Sequence, residues 1–259
     1  MAGYLGLFAA GFRRQSAYRW ALASGMAANV FFGVFRTAAF LALYRQVERA
    51  GGLDVADALT YVWILQAVFG VAFAPWQMEF PESVRSGDFV VDLLRPGDPL
   101  ARLAANDLGR STFFLLARGV PQILVPGLFL DLRLPTAPPG IALLALSLFL
   151  AAAAAFEIRF LLSAPAFWTA DYRGWMAMLF LALWLVGGFI LPVEYFPGAL
   201  RWIAENGPLA ALLAVPVRVA TGRDALAALA LQLVWVAVLA TACRAVMTGA
   251  LRRLVAHGG

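Results

Sequence analysis

The chain has 259 residues, 63% of them hydrophobic and only 14% charged, with a mean hydropathy of +0.80. Soluble domains are about 45–50% apolar and about 25% charged, so this composition excludes a soluble fold and specifies an integral membrane protein with several spans. The net charge of +5 rests entirely on Arg, since Lys is absent, and the Arg positions follow membrane topology rather than a nucleic-acid surface.

Residues 2–18 are too short and too charged at their end to span. Leu5, Phe8 and Phe12 fall on one helical face, which fits an amphipathic helix lying in the membrane interface; a frayed terminus is the other reading. Arg13, Arg14 and Arg19 precede a run too long for a signal-peptide core, so no cleavable signal is expected. The first span is expected at about 20–44, followed by a polar turn at 45–57 and a second span at about 58–76. A third span is expected at about 111–130, with Pro121 and Pro126 as kinks. The fourth is expected at about 140–162, through a run of five Ala, the fifth at about 175–191 and the sixth at about 225–247.

Residues 192–222 contain four Pro and three Gly. These break the segment into two apolar pieces, each too short to cross ~30 Å of hydrocarbon. The expectation is a re-entrant helix pair, with a flat external loop as the alternative. Six spans put both termini on one side. With the termini inside, twelve of the twenty Arg fall in inner segments and six in outer ones, which supports cytoplasmic termini.

Catalytic signatures are missing. The chain has no phosphate-binding loop, no nucleophile elbow and no His-Glu-x-x-His motif. Its only His is His257 and its only Cys is Cys243. The chain is therefore read as a non-enzyme that holds no metal or cofactor itself. Arg36 and Arg118 fall within spans, where a charge costs about 2.5–3.5 kcal/mol on insertion scales. They either face a cavity or subunit interface or, for Arg36 in particular, snorkel to the headgroups. Phe32 and Phe189, also mid-span, either line a pathway or pack against lipid and core.

The longest polar stretch is 78–110. Glu82, Arg85, Asp88, Asp92 and Arg95 recur there, with Val84, Phe89, Val90, Val91, Leu93 and Leu94 between them. Gly87 and Arg95-Pro96-Gly97 bound a short helix of about two turns. Such a piece buries one face on the membrane ends and turns its charges toward a partner.

This ground plan resembles the ABC-2 class of ABC transporter permeases, with an all-α polytopic fold over residues 1–259. The run Arg85-Ser86-Gly87-Asp88-Phe89, then Leu93-Leu94-Arg95-Pro96, looks like the signature of a bacterial branch long known as a domain of unknown function. The stretch around Tyr18-Arg19-Trp20 is similar as well. The resemblance implies the membrane half of an exporter of drugs or other toxic organic compounds, in the bacterial cytoplasmic membrane. ATP and Mg²⁺ would be bound by two copies of a separate ATP-binding subunit. A second permease, the same or different, would complete the pathway. The loop helix at about Pro81–Leu94 would couple to the ATPase through Glu82, Arg85, Asp88, Phe89 and Asp92. The re-entrant pair would form an outer gate, with Pro192, Tyr195, Phe196 and Pro197. A polytopic scaffold with no transport role is the alternative from another class.

Overall fold

A computed structural model describes residues 2–16, 19–72, 79–169 and 173–257. Helix α1 spans Ala2–Ser16, α2 Arg19–Tyr44 and α3 Val55–Ala72. Two short helices follow, α4 (Glu79–Ser86) and α5 (Asp88–Leu93), and then α6 (Pro99–Phe114). A π-helical turn at Leu115–Gly119 joins α6 to α7 (Val120–Gly127). Beyond an extended linker lie α8 (Pro138–Ser163), α9 (Ala166–Thr169) and α10 (Arg173–Leu185). A 3₁₀ turn at Val193–Tyr195 leads into α11 (Gly198–Asn206), α12 (Pro208–Leu212) and α13 (Ala214–Ala220). Helix α14 (Ala225–His257) closes the chain. Among the described residues there is no strand, only an isolated bridge between Ala50 and Leu53.

Among the described residues, three helical stretches are long and apolar enough to cross a membrane: Leu22–Tyr44, Pro138–Trp168 and Ala225–Arg252. Val55–Val71 and Gly174–Leu185 are apolar but shorter. The three long stretches differ in role. Half of the α8 window is buried, against 22% in α2 and 28% in α14, so α8 lies at the centre and the other two turn most of their surface outward. Small residues make the centre dense. Ala151, Ala152, Ala154 and Ala155 are all buried, and with no bulky side chain between backbones α8 packs closely on α13 and α14. The shorter α3 is buried almost throughout, with Tyr61, Ile64, Leu65 and Val68 in the main core.

The core is also tied by polar groups. Ser147 Oγ donates to Gln232 Oε1 at 2.8 Å, and Gln232 Nε2 donates to the carbonyls of Ser147 (3.0 Å) and Ala211 (2.7 Å). All three elements, α8, α12 and α14, are thereby pinned in register.

Four segments add to or differ from the sequence expectation. Helix α1, read from the sequence as an interfacial helix, has a helical partner. It packs along α6, and a Cβ at Gly11 or Gly109 would overlap the backbone of Asn106 or Phe8, so only glycine permits the approach. The 78–110 stretch is largely helix rather than loop, because Asp98 caps α6: its Oδ1 accepts from Leu100 N (2.9 Å) and Ala101 N (3.4 Å), with Pro99 at the first helical position. The segment expected as a span at about 111–130 is therefore the second half of one longer rod. Pro121 lacks the N–H that would continue the ladder, and the turn just before it widens to π geometry. Residues 192–222 form three short helices and a 3₁₀ turn rather than two pieces, with the breaks at Pro197, Gly207-Pro208 and Leu213.

Candidate functional site

Helices α4 and α5 form a bent pair. Gly87 sits between them with φ 86°, a conformation open to glycine at little cost. Ser86 Oγ donates to Asp88 Oδ2 at 2.7 Å and fixes the corner. The pair is seated by one aromatic ring. Phe89 is 2% exposed and meets Phe80 edge-on at 5.6 Å and Phe167 at 5.6 Å, while Phe80 stacks against Phe160 at 5.3 Å. Leu100, Cys243 and Met247 complete the cluster, so it joins α5, α6, α8 and α14. Arg102 closes the far side by donating to the carbonyls of Arg95 (2.7 Å) and Asp92.

Of the residues expected to meet a partner, Asp88 is exposed and Glu82 and Asp92 are half-buried; Asp92 pairs with Arg95 at 3.3 Å. The Arg85 side chain lies outside the described residues. Phe89 turns inward, so it seats the pair instead of facing outward. The outward face is carried by Val90, Val91 and Leu94, the last two 60% and 83% exposed. A simple i, i+3, i+4 count does not separate inward from outward here, because Gly87 resets the helical phase.

The embedded charges separate. Arg36 Nη2 donates to the Ile190 carbonyl at 3.3 Å and its guanidinium lies 5.1 Å over the Phe189 ring. Its Nε and Nη1 are buried without an acceptor. Arg36 and Phe189 thus meet, and they pin the turn after α10 to α2. Arg118 is elsewhere, in the π turn, 5.8 Å from the Phe114 ring and against Gly25 of α2 and Gly70 of α3. Phe32 points outward, 53% exposed, against Phe31.

The segment after α10 rests on the α2–α3 turn. Tyr195 and Tyr44 hydroxyls lie 2.8 Å apart, Tyr44 also donates to the Leu53 carbonyl at 3.1 Å, and Tyr195 packs edge-on to Phe40. Pro192 is buried, Phe196 is half-buried against the main core and Pro197 is exposed at the start of α11. Burial pushes the Glu194 carboxyl above its ordinary range.

Ion pairs mark the two ends of the bundle. At one end Asp57, 2% exposed, pairs with Arg133 (3.0 Å) and Arg223, while Arg133 also holds Asp54. Asp54 and Asp57 cap each other: Asp57 N donates to Asp54 Oδ1 (3.0 Å) and Asp54 N to Asp57 Oδ2 (3.2 Å). Burial pulls the Asp54 carboxyl upward, but the Asp57 N–H and the Arg133 charge outweigh it and hold the group below its ordinary value. At the other end Asp107 binds Arg110 and Arg159, beside the Phe89 cluster. Neither cluster is evident from the sequence, since all partners but Arg110 and Asp107, three apart, lie 52 to 166 residues apart. The Asp54-x-x-Asp57 spacing is a local clue, a capping box with Asp in the Glu position.

Comparison with protein families matches residues 32–258 to the ABC-2 family transporter protein description. No curated relative and no solved structure matches the chain. The match covers the chain from the middle of α2 onward, including the α4–α5 pair and both ion-pair clusters, and with it the chain belongs to the ABC-2 transporter family, the membrane component of an ABC transporter.

Proposed function

We propose that this chain is the permease subunit of an ATP-driven exporter in the bacterial cytoplasmic membrane, with six spans, both termini cytoplasmic and a dimer of permeases around the pathway. Family membership implies an ABC ATP-binding subunit as partner. Two such subunits would bind ATP and Mg²⁺ and drive the cycle. The cargo would be a hydrophobic or amphiphilic compound, a drug-like or toxic organic molecule or a lipid-like one, because the spans hold few charges and the two Arg expected within them, Arg36 and Arg118, lie against aromatic rings.

The α4–α5 pair carries this reading. It is a rigid helical corner anchored at the end of the bundle by Phe89, with Asp88, Val90, Val91 and Leu94 turned outward. Anchoring matters because a lever passes motion on only if its root is packed. Through the Phe89 cluster, displacement of α5 reaches α8 and α14 directly. The segment from Pro192 to Pro197, tied to α2 by Tyr195 and to α3 by Tyr61, which donates to the Gly188 carbonyl at 2.7 Å, would close the outer end.

Co-reconstitution with an ABC ATP-binding subunit that co-purifies with the chain tests the proposal. Asp88→Arg and Val91→Asp should lower substrate-coupled ATP turnover about tenfold, since losing one central interface contact is worth roughly 1–2 kcal/mol, with the bundle's thermal stability unchanged. Wild-type coupling in both variants rejects α4–α5 as the contact.

A further inference from the structure

The charges at the α1 end of the bundle do not balance. Arg159 is buried on α8, with Nη1 donating to the Val71 carbonyl at 2.6 Å and Nη2 to Asp107 Oδ2 at 2.6 Å. Arg110 is buried one turn from Asp107 and donates to its other oxygen. Ser111 adds a third donor to the same carboxylate at 3.3 Å. Two buried guanidiniums therefore share one carboxylate, and Arg110 Nη1 is buried with no acceptor. A buried cation that is neither paired nor fully hydrogen-bonded is strongly unfavourable.

Both guanidiniums line a cavity of about 300 Å³ between α1, α4, α6 and α8. Arg14, Asn106 and Ser83 contribute to the same wall. The one other carboxylate there, Asp92, is 43% exposed and taken up by Arg95. Phe80, Phe156 and Phe160 also line the cavity, beside these polar groups on α4 and α8. The cavity thus offers one uncompensated buried positive charge, neutral hydrogen-bonding groups and an apolar lining.

We propose that this cavity is an anion site for a phosphodiester monoanion, supplied by the headgroup of an anionic phospholipid. The phosphate would lie against Arg110 Nη1, with the glycerol and upper acyl chain along Phe80, Phe156 and Phe160. A phosphodiester monoanion closes the charge balance, whereas free phosphate is partly a dianion at neutral pH and has no apolar part to lie along the aromatic lining. Basic pockets between helices at the inner membrane surface are suited to such headgroups. The placement at headgroup level rests on the proposed topology, but lipid binding is measured without transport or an ATPase, so the two fail separately.

The full chain is purified in a neutral maltoside detergent and given dioleoyl phosphatidylglycerol, dioleoyl phosphatidylcholine or sodium phosphate at matched ionic strength. Retained lipid is read by native mass spectrometry and the unfolding midpoint by thermal melt. Phosphatidylglycerol should be retained and raise the midpoint; phosphatidylcholine and phosphate should not. Arg110→Gln should weaken retention about tenfold or more, the loss expected for a charge-assisted hydrogen bond. Arg14→Gln, an exposed position on the cavity rim, should weaken it several-fold and decides the matter if Arg110→Gln does not fold. Arg49→Gln, exposed in the 45–57 turn at the opposite end of the bundle, should leave it unchanged. Equal stabilisation by phosphate overturns the lipid source. Equal retention of the two lipids, or wild-type retention of phosphatidylglycerol by the folded variants, overturns the anion site.

Discussion

Single side chains decide which face of this protein is offered and which is held. Phe89 was legible as an apolar residue in a polar stretch, but its direction depends on the left-handed turn at Gly87 and on rings contributed by residues about 70 positions later. Phe89→Ala should destabilise the protein by about 3–5 kcal/mol, the cost of emptying a buried aromatic site, measured by chemical unfolding in detergent. Two carboxylates at the opposite end give pH dependences of opposite sign. Glu194 is raised by burial, so its contribution is full below the ordinary Glu range and is lost as pH rises through the folded value. Asp54 is lowered, so its contribution is present above the ordinary Asp range and is lost as pH falls. Glu194→Gln should flatten the decline of melting temperature above about pH 4.5, the upper edge of the ordinary Glu range, and leave the acid limb in place. An unchanged alkaline slope shows that the carboxyl is not buried in solution.

Packing between elements depends on small residues more than on hydropathy. The α1–α6 contact exists because Gly11 and Gly109 let backbones meet. Gly109→Leu should therefore detach α1 and raise proteolysis within residues 2–16, while α6 keeps its Asp98 cap. The amphipathic pattern of α1 was readable, but its partner was not, since a surface helix and a helix laid on α6 bury the same apolar stripe. The Gln232–Ser147 pair is similar: a lone Gln in an apolar helix is visible in the sequence, and its acceptors on α8 and α12 are not. Gln232→Leu should cost about 1 kcal/mol, within the range measured for interhelical hydrogen bonds in membranes.

Across the whole molecule, the 45–57 turn, the 131–137 linker and the turn before α14 gather at one end through Asp57, Arg133 and Arg223. Helices α1, α4, α5 and the last turns of α14 gather at the other, where Met247 joins the Phe89 cluster and Arg244 lies 3.7 Å from Asp98. This arrangement supports opposite sides of a membrane for the two ends. In a variant with Cys243→Ala, a Cys placed at Glu48 should react with impermeant reagent from outside in intact cells. A Cys at Ser86 should react only after the membrane is opened. Labelling of both from outside rejects the topology.

Composition alone made this a membrane protein, because a chain 63% hydrophobic with 14% charge cannot cover itself in water. Local signals also showed that Gly and Pro break 192–222 and put the start of α8 to within about two residues, each through backbone chemistry that acts over a few residues, whereas the Asp98-Pro99 start of α6 was passed over within the polar stretch. Contacts between distant residues lay beyond that range. Which of twenty Arg shares a carboxylate, which Phe turns inward and where a cavity is left depend on how α1, α6 and α8 approach one another. Those approaches are set by volume and charge summed over helices far apart in the chain, so they exist only once the bundle has packed.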